Sequence, residues 1–220
     1  MIRVGIADSG VDGAAAGKVI AHADFFAAGT VIGTNDLPRD QAGHGSALAA
    51  VIAQTDGIAL LDARIFDASL RASAAQAAAA IDWLVESGAR LINLSFGLRE
   101  DRGVLREACA RAVSGGVLLV ASTPARGAAV FPAAYPDVLR ATGDARCAPG
   151  EHSWLGTAQA DAGGSASTPC GRVAGASAGC AHVSAALIRL MLQQPSSTRD
   201  ALLETFRQEA RYVGPERRSR

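Results

Sequence analysis

Three short segments carry side chains that together could activate a hydroxyl for nucleophilic attack. Asp8 follows an apolar run that begins at Val4, His44 lies between two glycines, and Ser177 lies in a Gly-Ala-Ser turn that leads into an apolar stretch. A serine hydroxyl is a weak nucleophile at neutral pH, so it needs a base to take its proton and a group that orients the base. An imidazole and a carboxylate can fill those two roles, so the three residues predict acyl transfer at Ser177.

Each of these residues also has a purely structural interpretation. Asp8 could do no more than form a turn, His44 could open a helix, and Ser177 could cap one. For any one residue alone, that interpretation stays open. The occurrence of all three in contexts suited to catalysis favours a catalytic triad.

The elements that must position these residues are visible as alternating strand-like and helical runs. Alternation of this kind predicts βαβ units, and hence an α/β fold of three layers with a mostly parallel central sheet and helices on both faces. The predicted strands are 4–7, 59–65, 90–95 and 117–121, and the predicted helices are 46–54, 73–86 and 105–113. Active sites of such sheets gather at the carboxyl ends of the strands, which is where Asp8, Ser95 and segment 121–125 fall.

The C-terminal third predicts two further helices. One runs from Ala178 to about Leu192 and stops before Pro195. The other starts at Ser197 or Thr198 as its N-cap and places three apolar residues on one face, namely Leu202, Leu203 and Phe206. We expect one compact domain over residues 1–213 and a disordered basic tail over 214–220.

The chain resembles the subtilases, the subtilisin-like serine proteases, in more than three residues. The order Asp, His, Ser along the chain is that of subtilisin. Segment 92–98, INLSFGL, is similar to the subtilase strand that lines the substrate cleft, and segment 131–143, FPAAYPDVLRATG, is similar to the part that follows the oxyanion region. Together these blocks cover most of residues 2–193.

The resemblance implies a serine endopeptidase. Ser177 would attack the peptide carbonyl, His44 would take the proton and return it to the leaving amine, and Asp8 would orient the imidazole. Ser95, Phe96 and Gly97 would bind the substrate backbone by strand addition. The alternative for this segment is a buried strand that ends at a glycine turn.

One part of the sequence departs from the family pattern. Subtilases usually follow the strand corresponding to 117–121 with a Gly-Asn pair that donates to the oxyanion, but here Pro124 and Ala125 occupy those positions in a gapless count. The backbone N–H of Ser177 remains as a donor. The candidate replacement donors are Ser122, Thr123 and Arg126. Loss of one oxyanion donor costs about 10²–10³ in kcat, so a slow enzyme is expected.

The cysteines are interpreted as reduced thiols, because a chain of this length has little need of disulfides. These residues are Cys109, Cys147, Cys170 and Cys180. A zinc site from Cys170, Cys180 and His182 would lack the close paired spacing of structural zinc sites, so neither metal nor cofactor is expected. Cys180 is predicted to pack in the core, with reactivity beside the nucleophile as the alternative, and His182 is predicted to be a hydrogen-bonded packing residue.

Composition excludes several other functions. The 21 basic residues balance the 21 acidic ones and are interspersed with them, which disfavours nucleic-acid binding. No apolar run approaches the roughly 20 residues that span a bilayer, so no membrane partner is expected. The chain enters its first strand without a secretory signal pattern, which predicts a cytoplasmic location.

These observations favour a slow, narrow endopeptidase that cleaves one dedicated precursor or leader peptide, working beside a peptide-modifying enzyme. Two alternatives remain open. The absence of an asparagine at Ala125 is compatible with a pseudoprotease that binds and escorts a peptide, and the same triad could cleave activated esters.

Overall fold

The computed structural model describes residues 1–26, 29–32 and 40–216. Within these ranges ten strands form a single sheet. The strands are β1 (Ile2–Asp8), β2 (Val19–Phe26), β3 (Gly29–Ile32), β4 (Ile58–Arg64), β5 (Leu91–Leu94), β6 (Leu118–Ser122), β7 (Leu139–Gly143), β8 (His152–Trp154), β9 (Ala162–Gly164) and β10 (Tyr212–Val213). The α-helices are α1 (His44–Ile52), α2 (Ala74–Glu86), α3 (Gly103–Ser114), α4 (Ala176–Gln193) and α5 (Arg199–Gln208).

The strand order across the sheet is β10-β8-β9-β7-β6-β5-β1-β4-β2-β3. All neighbouring pairs are parallel except β2 with β3 and β8 with β9. The central strand β1 pairs with β4 on one side and β5 on the other, and its last residue, Asp8, lies in register with Arg64. The sheet is therefore mostly parallel, and β1 is one of its inner strands, so Asp8 lies between the ends of neighbouring strands.

Two apolar layers flank the sheet. Ile6 and Leu60 pack on one face with residues of α1 and α4, whereas Leu61 and Ile92 pack on the other face with residues of α2 and α3. Strands covered on both faces read as continuous apolar runs, which is why the sequence reveals them. The predicted three-layer α/β architecture is confirmed.

The predicted elements occur with boundaries shifted by at most two residues. Thr198 caps α5, and its hydroxyl accepts a hydrogen bond from the amide of Ala201 at 3.3 Å. Five strands were not foreseen: β2, β3, β8, β9 and β10. Three of them are only two or three residues long, too short to show a period.

The predicted basic tail overlaps the described residues only at its start. Gly214, its first residue, donates to the carbonyl of Trp154 and accepts from the Arg146 guanidinium, both at 2.8 Å. Residues 217–220 lie outside the described residues. Across the described ranges, none of the helices combines the length and apolarity needed to cross a bilayer.

Candidate active site

The end of β1 and the start of α1 bring Asp8 and His44 together. The Nδ1 atom of His44 lies 2.7 Å from Oδ1 of Asp8, and Asp8 is fully buried. The same carboxylate oxygen accepts from the amide of Ser9 at 2.8 Å and from its hydroxyl at 3.2 Å. Because Nδ1 of His44 donates to Asp8, the other ring nitrogen, Nε2, remains available to act as a base.

The packing between these two segments requires a glycine after His44. A Cβ atom on Gly45 would lie 2.3 Å from the carbonyl oxygen of Gly10, so no other residue fits without backbone movement. The amide of Gly45 also donates to the Ser9 hydroxyl at 2.9 Å. The turn that follows Asp8 and the first turn of α1 are thereby locked to one another.

Asp40 is a site residue that sequence reasoning missed. Its Oδ1 accepts from the amides of Ala42 and Gly43, and its Oδ2 accepts from the amide of Ser46 at 2.8 Å. These bonds satisfy exposed donors at the beginning of α1, as an acidic group at a helix N-terminus does. An acidic residue four positions before a histidine that opens a helix was the available signal.

Ser177 is the second residue of α4, and the helix is preceded by Gly175, whose φ of 76° favours glycine. Its hydroxyl donates to the carbonyl of Ser95 at 3.2 Å rather than to His44. Ser95 in turn lies with His44 on the lining of one cleft. The structure therefore pairs Asp8 with His44 directly and bonds Ser177 to a residue that lines the same cleft as His44.

A buried network of hydrogen bonds around Asn93 connects β5 to α4. The amide nitrogen of Asn93 donates to the Ser95 hydroxyl at 2.9 Å, and its oxygen accepts from Ser184 at 3.0 Å and from the thiol of Cys180 at 3.3 Å. Burial, opposed by the hydrogen bonds, raises the pKa of Cys180 to about 12. Cys180 is thus a packed thiol, and Asn93, a lone polar residue in an apolar strand, was a signal that sequence reasoning passed over.

The predicted substrate-binding strand forms one wall of a cleft of about 500 Å³. Ser95, Phe96 and Gly97 line it together with Leu98, and the facing wall is formed by residues 65–66 and 70–73. Gly97 is exposed, and its amide and carbonyl have no hydrogen-bond partner in the described part of the chain. Unpaired backbone at the end of a strand is where an extended peptide can add.

The oxyanion candidates occupy different surroundings. Thr123 is buried, its amide donates to the carbonyl of Ala141, and its hydroxyl oxygen accepts from the side-chain amide of Gln159 at 3.2 Å. Ala125 and Arg126 are exposed and line a groove shared with Thr142 and Gly143. This groove borders the start of α4, because a Cβ on Gly143 would lie 2.7 Å from the carbonyl of Gly175.

The electrostatics of the site act mainly on His44. Burial disfavours the charged imidazole, but the hydrogen bond and negative charge of Asp8, with a further contribution from Asp40, outweigh burial and raise the pKa of His44 above its ordinary value. An imidazole with a raised pKa is a stronger base once deprotonated. It also has to lose its proton at a higher pH before it can accept one.

We therefore expect the rate of Ser177 acylation by an active-site reagent to rise with pH, with a midpoint above that of free imidazole. Replacing Asp40 by Asn removes one negative charge near His44 and should move the midpoint to lower pH. The measurement is the pseudo-first-order labelling rate between pH 5 and 9. A rate independent of pH over that range would contradict the assignment of His44 as the base.

His182 and the four cysteines were also considered as candidates from the sequence, and the structure gives the surroundings of each. The Nε2 atom of His182 donates to the carbonyl of Ser167 at 3.0 Å inside the core. All four cysteines are free, three of them buried and Cys170 exposed. Among residues 1–26, 29–32 and 40–216, no group of three or more His, Cys, Asp or Glu side chains is arranged to hold a metal.

Comparison with known proteins agrees with the fold. The model of the subtilase family, Peptidase_S8, matches residues 1–142, and the chain belongs to this family. The thermostable alkaline protease of Halalkalibacterium halodurans is 28% identical over 151 residues, which are 62% of this chain and 40% of that protein. The chain thus spans well under half the length of this curated relative.

Two solved structures are similar in fold. Sphericase has a TM-score of 0.70 and 20% identity, covering 93% of this chain and 82% of its own. The prenylagaramide maturation protease PagA has a TM-score of 0.60 and 22% identity, covering 88% of this chain and 77% of its own. At these identities the likeness establishes the three-layer fold.

Proposed function

We propose that this subtilase is a serine endopeptidase in which Asp8, His44 and Ser177 form the catalytic triad. The observation that carries the proposal is the 2.7 Å contact between His44 and Asp8 at the head of a cleft that also contains Ser95, the residue bonded to Ser177. In the reactive arrangement the Ser177 hydroxyl leaves the Ser95 carbonyl and donates to Nε2 of His44. His44 then takes the proton as the hydroxyl attacks, and later delivers it to the leaving amine.

The tetrahedral intermediate needs donors for its oxyanion. We assign the first to the backbone N–H of Ser177, at the start of α4, where helix amides are unpaired and the helix dipole favours negative charge. Thr123 and Arg126 are the candidates for the second donor in place of the usual asparagine at Ala125. Thr123 would have to turn its hydroxyl proton from its buried position, whereas Arg126 is an exposed cation on the loop beside Gly143.

The cleft fits an extended peptide with apolar side chains. Its lining is mostly apolar, with Ile65, Phe66 and Leu70 on one wall and Phe96 and Leu98 on the other. Phe66 and Phe96 meet edge to face, with ring centroids 5.9 Å apart. A peptide that pairs with Gly97 would direct alternate side chains between these walls. Those side chains would have to be apolar, and this requirement supports narrow specificity.

The substrate class we propose is a precursor or leader peptide, removed during maturation of a modified peptide or enzyme subunit. The fold shared with a protease named for prenylagaramide maturation supports this assignment. A narrower form of the proposal, suggested by the alanine- and arginine-rich sequence, makes the substrate the precursor of the small crosslinked subunit of quinohaemoprotein amine dehydrogenase. A peptide-modifying enzyme would then be a functional partner.

Candidate precursor peptides, that one included, test this proposal directly. Each peptide is incubated with the protein, and the products are identified by mass measurement. A single cut at one site, absent in His44→Ala, is the expected result. Products that are unchanged in His44→Ala would come from a contaminating protease and contradict the proposal.

The second candidate is a pseudoprotease that binds a peptide without cutting it, which the missing asparagine favours. A fluorophosphonate probe separates the two, because it reacts only with an activated serine. Labelling of the wild type supports the protease. Peptide binding without labelling supports the escort protein, and hydrolysis of activated esters with no peptide cleavage supports an esterase.

A further inference from the structure

A second buried carboxylate lies beside Asp8 in the centre of the sheet. Asp62 is on β4, only 3% exposed, and occupies the register position opposite Ile6 of β1. Its Oδ2 accepts from the amide of Val11 at 3.0 Å, whereas its Oδ1 is buried without a hydrogen-bond partner in the part of the chain described. An ionisable group in such a position is costly unless it is paired or neutral.

The contact with Val11 connects Asp62 to the Asp8–His44 pair. Val11 ends the turn that begins at Asp8, and the other residues of this turn contact the start of α1. Asp62 therefore holds the far end of the same turn whose near end orients Asp8. The Oδ2 atom of Asp8 is likewise buried with no hydrogen-bond partner among the described residues.

Among the described residues, the cations nearest to Asp62 in the sheet also face other carboxylates or make no bond to its Oδ1. Arg64, on the same strand, donates from Nε and Nη2 to the two oxygens of Asp24, at 2.8 and 2.6 Å. His44 is paired with Asp8, and His22 lies at the position paired with Asp62 on β2 but makes no hydrogen bond to its Oδ1. Burial, with the charges of Asp24 and Asp8, outweighs Val11 and Arg64 and raises the pKa of Asp62 to about 7.

We propose that Asp62 is a positioning residue of the catalytic site, which holds the Asp8 turn through Val11 and whose buried carboxyl group is coupled to the Asp8–His44 pair. The inference rests on the proposed protease function only where it predicts an effect on catalysis. The proton on Asp62 and its effect on His44 are properties of the folded chain, and they can be measured without any turnover.

The first test is the pH dependence of stability. In the unfolded chain the Asp62 carboxyl ionises near its ordinary value, whereas in the folded protein it keeps its proton to about pH 7. The folded state then binds the extra proton between these values, so stability falls as pH rises through the window, by up to about tenfold per pH unit in the unfolding equilibrium constant. Asp62→Asn, which keeps an oxygen for Val11, should reduce this slope to the part contributed by other groups, such as His44, whose pKa is also raised in the folded protein.

The matched control is Asp56→Asn, the same substitution at a fully exposed carboxylate. It should retain the wild-type slope in denaturant titrations between pH 5 and 8. A slope that persists unchanged in Asp62→Asn would show that Asp62 is already ionised in the folded state and would overturn the proposal. If that variant does not fold, carboxyl-carbon NMR of the wild type decides, since absence of any aspartate that titrates near pH 7 has the same consequence.

The second test measures the link to the catalytic pair. When Asp62 ionises in the wild type it adds negative charge near His44 and stabilises the imidazolium, so His44 should titrate at lower pH in Asp62→Asn. Histidine NMR, assigned with a His44→Gln variant, gives this shift directly. An unchanged His44 titration in a folded Asp62→Asn protein would refute the coupling even if the stability slope is reduced.

Rates of serine labelling add a catalytic readout. In Asp62→Asn the pH profile should move in the same direction as the His44 titration. Asp62→Ala removes the acceptor for Val11 as well, and a looser Asp8 turn should lower the rate about 10- to 100-fold at every pH. Equal rates and equal pH profiles for the wild type and both variants would contradict the positioning role. Failure of the wild type to label would count against the proposed protease and leave the stability and NMR tests intact.

Discussion

Replacing Ser177 by Ala should abolish peptide cleavage while leaving the fold intact. Removal of the nucleophile of a serine triad costs about 10⁶-fold in kcat, which brings turnover close to background. The structural cost is small, because the only side-chain hydrogen bond of Ser177 to the described residues is the one from its hydroxyl to the Ser95 carbonyl, and because alanine favours the helix in which Ser177 lies. The change is measured as product formation from the cognate precursor and as labelling by a fluorophosphonate.

The chain offers a matched control for this variant. Ser184 lies seven residues further along the same helix, and its hydroxyl donates to the buried Asn93 at 3.0 Å. Ser184→Ala should lose some stability, because it removes a buried hydrogen bond, but it should still be labelled. Labelling of Ser177→Ala at the wild-type rate would assign the nucleophile elsewhere. Loss of labelling together with unfolding in both variants would mean that the experiment had reported stability instead of chemistry.

Sequence reasoning succeeded where burial imposes a pattern. The strands of the sheet centre are covered on both faces, so β1 and β4 show as apolar runs, and the polar residues at their ends stand out. The start of α5 followed from a capping signal, because Thr198 was one of two expected N-cap residues and its hydroxyl accepts from the amide of Ala201. Fold class and the Asp8–His44 contact are the parts of the molecule that such patterns determine.

What could not be predicted is set by contacts between distant segments. The link between Asp62 and the Asp8 turn depends on a pairing of β1 with β4 across more than fifty residues of chain. The same holds for Asn93, whose partners Cys180 and Ser184 come from α4. The sequence alone shows that Asp62 and Asn93 are polar residues within apolar runs. This pattern indicates a role for each residue, but it does not identify the residues that they contact.

Short strands were missed for a different reason. Strands β8, β9 and β10 have two or three residues each, and they are held by backbone pairing with neighbours more than by their own side chains. Strand β2 carries His22 and Asp24, which interrupt the apolar pattern expected of a buried strand. Asp24 is tolerated there because Arg64 on the neighbouring strand neutralises it.

Replacing Asp8 by Asn should lower the rate of Ser177 acylation about 10²–10³-fold, because a nearby opposite charge is worth up to about 3 pKa units in stabilising the imidazolium. In this site the substitution removes the negative charge of Asp8 but keeps its hydrogen-bond acceptor. The Asp8 oxygen that faces His44 also accepts the amide and hydroxyl of Ser9, so an asparagine oxygen is held in that position, and the histidine tautomer is retained. The imidazolium formed during the reaction then loses its counter-charge, and His44 should also titrate at lower pH.

The remaining oxygen of Asp8 separates the electrostatic effect from a structural one. Since Oδ2 is buried without a partner among the described residues, the asparagine NH₂ group would occupy an unsatisfied position, at a cost of about 1–3 kcal/mol in the free energy of unfolding. Asp8→Ala removes the Ser9 and His44 contacts as well and should be slower still. A rate for Asp8→Asn within tenfold of the wild type, in a protein shown to be folded, would mean that the carboxylate charge does not assist His44. The Asp8–His44 contact would then be a helix-docking interaction, and the proposal of a triad would fail at its first member.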